Sequence, residues 1–127
     1  MIIQNGFATK DKIYISTHRH DYVSVEIDDV LYFTDGGHDY IRCNISKGDQ
    51  DVSIISLDDS STINEVINLL CWGGRGKDGK SPLTYRFIKD LELDYLESLM
   101  EYSKTHTIEA LRLFVMQYWL HKKKLEE

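Results

Sequence analysis

The chain holds a single proline and two cysteines in 127 residues. Cys43 and Cys71 are too few for a disulfide framework or a four-cysteine zinc site, and such sparse cysteine use suits a reducing compartment. One proline and eight glycines also exclude a fibrous or disordered composition. No apolar run approaches the ~18 residues that cross a bilayer. The opening MIIQNGFATKDK lacks the basic-then-apolar order of a signal peptide. A cytoplasmic protein with no membrane partner is therefore expected. Positive charge is in deficit, with 15 Lys and Arg against 21 Asp and Glu and a formal net charge of −6. That balance argues against a broad surface for duplex nucleic acid but leaves room for a local basic patch.

What is present is 42% hydrophobic and 28% charged. A chain of this length makes one domain and buries roughly two-thirds of its unfolded surface. The expected fold class is α+β, an N-terminal antiparallel β-meander over residues 1–58 followed by a helical part over 59–127. Residues 13–15 form a short apolar run. Tyr22–Ile27 alternates, with Val23, Val25 and Ile27 on one face, as a half-buried strand requires. Asp28-Asp29 separates it from a second run over 30–34 and predicts a hairpin. Asp35-Gly36-Gly37 is a second turn, 38–45 alternates again, 47–50 is a third turn, and 52–57 reads as one more strand.

The period then changes. Ile63, Val66, Ile67 and Leu70 share one helical face, and Thr62 with Glu65 fits a capping box. Gly73-Gly74 is expected to end that helix. The stretch 82–88 reads as a strand with Tyr85 and Phe87 opposite Arg86, Asp90 as the cap of a helix to about residue 102, and 107–123 as the last helix. The apolar stripe of that helix is Ile108, Leu111, Val115 and Tyr118, widened by Phe114 and Trp119.

Four stretches bear chemistry. His18 and His20 beside Asp21 share a strand face and could take a metal with a third ligand from His38 or Asp39; a polar strand entrance facing water is the alternative. Tyr40 and Arg42 alternate onto one face, where ring and guanidinium suit a base or a phosphate, or an ordinary cross-strand pair. Residues 73–81, GGRGKDGKS, form a glycine-rich loop that carries Arg75, Lys77 and Lys80 next to the stacking face of Trp72. Its free backbone N–H groups suit an anion, though its order is not that of a P-loop; a solvated hairpin tip is the alternative. Arg112 lies one position off the last helix's apolar stripe, either bordering a groove or paired with Glu109. No nucleophile elbow or thiol motif accompanies these residues, so binding without catalysis or cofactor is expected.

RHDYVSV followed by DGGHDYIR resembles a domain common in phage and prophage proteins, whose pattern runs Arg-His-Asp-Phe and then Asp-Gly-Gly-x-Asp-Tyr-Leu-Arg-Arg. Many relatives carry it within a zinc-ribbon-like cysteine framework; the ribbon cysteines are missing here, so no zinc site carries over. WGGRGKDGKSPLTYRFIKDLELDYLESL resembles a second phage-borne pattern and departs from it at Gly74 and at Leu93-Asp94-Tyr95. Together the two cover residues 18–42 and 72–99. The layout of an N-terminal antiparallel sheet and C-terminal helices is similar to the first-described anti-Thoeris phage proteins. That resemblance implies a homo-oligomer that sequesters cyclic ADP-ribose-type signals or cyclic oligonucleotides without cleaving them. It implies that Tyr85 stacks on a base, that Arg112 neutralises phosphate, and that Arg75 to Lys80 serve a second anion site.

The other function class is an inhibitor or takeover module that binds a host protein, through the acidic sheet face and the aromatic last helix (Phe114, Tyr118, Trp119). Single-stranded nucleic acid on Trp72 and the basic loop is a third reading, with an affinity that would collapse in salt.

Overall fold

The computed structural model describes residues 2–16, 22–36, 42–45, 51–75 and 79–126. It is an α+β fold with antiparallel strands in the N-terminal part and helices at the C-terminus. The first strand, β1 (Ile2–Thr9), is the organising one. It pairs antiparallel with β2 (Ile13–Ser16) on one side and with β6 (Val52–Ile54) and β7 (Leu57–Asp58) on the other. A second sheet runs in chain order through β3 (Tyr22–Ile27), β4 (Val30–Asp35) and β5 (Arg42–Cys43).

Strand β1 is absent from the strands expected on pattern, because Gln4-Asn5-Gly6 breaks its hydrophobic alternation. These residues are nevertheless interior: Gln4 is 4% exposed and Asn5 1%. Gln4 Nε2 donates to the carbonyls of Ile55 (2.7 Å) and Leu69 (3.0 Å), and its Oε1 accepts from the N–H of Cys71 (2.9 Å). Gly6 is the one residue that fits its position, since a Cβ there would lie 2.8 Å from the Tyr14 carbonyl oxygen and 2.4 Å from Ile15 Cδ1. The expected strand over 52–57 is two strands. At the break, the Ile55 N–H donates to Gly6 O (3.0 Å) and the Ser56 hydroxyl accepts from the Gly6 N–H (3.0 Å), so a side chain stands in for a ladder partner.

The Asp28-Asp29 turn joins β3 to β4 with φ of 51° and 64°, the left-handed pair of a type I′ hairpin. Thr62 and Glu65 form the expected capping box at the start of α1 (Ile63–Leu69). That helix does not run on to Gly73-Gly74. Leu70 is already extended and accepts a hydrogen bond from the Ile88 N–H (2.9 Å), and the glycines belong to a strand, β8 (Cys71–Gly74). Antiparallel to it lies β9 (Thr84–Phe87), followed by a one-turn 3-10 helix (Ile88–Asp90). Helix α2 (Leu93–Ser103) is N-capped at Glu92 without a side-chain bond, so Asp90 is not its cap. Helix α3 (Ala110–Glu126) begins and ends about three residues later than its stripe suggests.

Among the described residues, three clusters make up the interior. Phe7, Tyr32 and Val52 join the two sheets. Ala8, Ile15, Ile55 and Cys71 join the first sheet to the β8–β9 hairpin. The largest surrounds Leu70, Ile88, Leu96, Val115 and Met116, and it joins the hairpin to the helices. The hairpin thus sits between the sheet and the helices. Among the described residues no helix is long and apolar enough to cross a membrane.

Candidate functional site

The register of the β8–β9 hairpin decides which side chains share a face. Cys71 pairs with Phe87, Trp72 with Arg86, Gly73 with Tyr85 and Gly74 with Thr84. Side chains alternate across a strand, so Cys71, Tyr85 and Phe87 face the first sheet, while Trp72, Thr84 and Arg86 face the other way. The Ile88-to-Leu70 hydrogen bond fixes the ladder's phase and turns the N–H and C=O of Cys71 outward, away from β9. Both are met by side chains: the N–H by Gln4, and the C=O by the Arg112 guanidinium, which donates to it. Arg112 also pairs with Glu109 through Nε at 3.1 Å, the alternative that the sequence left open.

On the inner face Cys71 is buried and Tyr85 and Phe87 are half-buried. Burial pushes the Cys71 thiol up to about 12, against the opposing pull of Arg112. Burial also raises the Tyr85 phenol, again opposed by Arg112. The Tyr85 ring lies over Gly73, where a Cβ would come within 2.7 Å of Cε1. Tyr85 and Arg112 are therefore brought into one neighbourhood, but around the Cys71 edge. Tyr85 borders a hollow of about 250 Å³ shared with Lys10, Lys12 and Phe87.

The outer face is open. Trp72, Gly74, Arg75, Tyr95, Ser98 and Tyr102 line a cleft of about 800 Å³ between β8 and α2. The Tyr102 ring meets Trp72 edge to face, with centroids 6.5 Å apart, and its other surroundings include His106, stacked parallel at 3.8 Å. At Gly74 a Cβ would stand 3.0 Å from the Tyr95 hydroxyl, so the missing side chain gives the phenol its place at the strand. Arg75 is exposed at the cleft, and no described carboxylate pairs with it. The Ser81 N–H donates to Arg75 O (3.0 Å), closing the loop base and bringing Lys80 near the same end.

Arg86 shares the outer face but is engaged in holding the hairpin to α2. Its guanidinium donates to both carboxylate oxygens of Glu92 (3.2 and 2.9 Å) and to Asp90 O (3.1 Å). That fork holds the Glu92 carboxyl below its ordinary range.

Of the residues singled out in the sequence, Trp72 and Arg75 line the cleft, and Tyr85 and Arg112 lie around the Cys71 edge. Arg42 is on β5 in the other sheet, 3.8 Å from Asp35 and over the Phe33 ring, and does not line the cleft. Tyr40, Lys77, His18, His20, Asp21, His38 and Asp39 lie outside the described residues. Among the described residues no group of three metal-type ligands occurs. Tyr95, Ser98 and Tyr102 also line the cleft and are not among the residues that the sequence singles out. Their spacing of i, i+3, i+7 is a helical face beside the buried Leu96 and Leu99, and that period was the available signal.

No family model, curated protein or solved structure matches this chain. The cleft's own chemistry therefore carries the functional argument. It offers the rings of Trp72, Tyr95 and Tyr102, the exposed Arg75 guanidinium and the Asp94 carboxylate.

Proposed function

We propose that the protein binds and sequesters a small cyclic nucleotide or cyclic ADP-ribose-type signal in the cleft between β8 and α2, without cleaving it. The observation that carries this reading is the meeting of three rings, Trp72, Tyr95 and Tyr102, with the Arg75 guanidinium around about 800 Å³. Rings take the flat faces of bases at roughly 1–3 kcal/mol each, and a guanidinium takes phosphate through paired hydrogen bonds. The role foreseen for Tyr85 and Arg112 passes to Trp72 and Arg75. Arg112 serves the hairpin that carries them. The test is to mix the purified protein with cyclic nucleotides, then to denature it by heat and analyse what is released. Intact ligand supports sequestration, hydrolysed ligand points to an enzyme, and no uptake removes the reading.

A second reading is favoured by α3. Phe114 and Tyr118, one turn apart, are 49% and 41% exposed on a helix whose other side is buried by Val115 and Met116. Such a face suits a protein partner, either a host protein or a second copy of the chain. Specific capture of one host protein, with no small-molecule uptake, would favour it over the first; a dimeric mass in light scattering would assign the face to self-association.

A further inference from the structure

We infer that the Asp94 carboxylate makes the cleft selective for guanine over adenine; this rests on the reading of the cleft as a nucleotide site. Asp94 lies in the first turn of α2 and lines the cleft together with Ser98 and Tyr95. One of its oxygens, Oδ1, accepts the N–H of Tyr95 at 2.9 Å, which ties the side chain to the helix start. An ionised carboxylate has about four acceptor positions, so this bond leaves most of them for a guest. Ser98 spends its hydroxyl proton on Asp94 O at 3.0 Å, so this neighbour also presents lone pairs to the cleft.

The wall that α2 presents here is therefore rich in acceptors. Arg75 supplies the cleft's positive charge from the end of β8. A guest that satisfies both carries negative charge for Arg75 and hydrogen-bond donors for Asp94. Guanine nucleotides have that distribution. The guanine N1–H and N2–H2 are parallel donors that match a carboxylate in a two-pronged contact. Adenine offers one donor group on that edge and sets the N1 lone pair against the second carboxylate oxygen. A built polar site rejects such a mismatch more sharply than an apolar pocket rejects a change of shape.

The experiment is calorimetric titration of the full chain with guanosine, inosine and adenosine 3′,5′-cyclic monophosphates, for the unchanged protein and for Asp94→Asn. The amide keeps an oxygen for the Tyr95 N–H, so equal melting temperatures establish that the variant folds. The expected result is a preference for guanosine over adenosine of roughly five- to hundred-fold, with inosine between them because it lacks the N2 amine. Asp94→Asn should cost guanosine binding a similar factor and erase the preference. Equal affinity for the guanosine and adenosine probes, or a preference that survives Asp94→Asn, overturns the inference while leaving a Trp72-dependent nucleotide site intact. No uptake of any probe by the unchanged chain overturns the site reading as well.

Discussion

Arg112 on α3 donates a hydrogen bond to the carbonyl oxygen of Cys71, on the outward edge of β8. A cation is thereby spent on a strand edge that would otherwise present an unpaired acceptor. Cys71 is 2% exposed, so replacing Arg112 leaves a carbonyl of a buried residue without this donor. Arg112→Ala should destabilise the fold by about 1–3 kcal/mol, the cost of leaving a buried acceptor unsatisfied, read as a lower denaturation midpoint. Ligand uptake should persist where the variant is still folded. Unchanged stability together with lost uptake would return Arg112 to the role of a phosphate ligand.

Gly6 is a second structural requirement. A Cβ at this position meets the Tyr14 carbonyl oxygen, which belongs to the paired strand and cannot swing aside as a side chain can. Gly6→Ala should therefore cost about 1–3 kcal/mol in a chemical denaturation curve, as overpacking does, although alanine suits a strand no worse than glycine. A neutral substitution would mean that β1 and β2 are not in the register described.

Glu92 gives the fold a pH dependence. The Arg86 hydrogen bonds lower its pKa from the ordinary 4.5, so the folded state prefers the carboxylate. A depressed pKa stabilises at pH values above the unfolded value, and the benefit is lost as pH falls through the lower folded value. The melting temperature of the natural chain should exceed that of Glu92→Gln at neutral pH, and the gap should close as the solution is acidified below 4.5. A gap that persists at low pH would place the effect elsewhere than in this ion pair.

The two thiols should differ in reactivity. Cys71 is buried, with its pKa pushed up to about 12, so almost none is thiolate at pH 8. Cys43 is partly exposed; its sulfur lies 3.3 Å from the Thr34 hydroxyl and 3.4 Å from that of Ser56. A disulfide-exchange reagent should modify one cysteine readily in the folded protein and both in denaturant. Rapid modification of both in the native state would contradict the packing of β8.

Local chemistry made several features legible. Asp28-Asp29 reads as a hairpin because both residues tolerate positive φ, and Thr62 with Glu65 reads as a cap because each satisfies a free N–H of the other. Period two placed Tyr85 and Phe87 opposite Arg86 without any knowledge of the partner strand. Strand β1 was not legible, because Gln4 looks like a surface residue until Ile55, Leu69 and Cys71 are folded around it. The same non-local logic hid the division of the site. Trp72 and Tyr85 both read as stacking rings, and only the pairing of Gly73 with Tyr85 shows that they lie on opposite faces of one hairpin. For Arg112 the sequence offers a groove border or a pair with Glu109, and the bond to the Cys71 carbonyl stays hidden because that partner is 41 residues away in the chain.

The cleft itself is tested most directly by calorimetric titration of cyclic nucleotides into the natural chain and into Trp72→Ala and Arg75→Ala, with the bound ligand recovered afterwards. Binding to the natural chain, a loss of about 1–3 kcal/mol on removing the Trp72 ring, weaker binding without the Arg75 charge, and intact ligand on release are the predicted results. Affinity that is indifferent to both substitutions would contradict the account.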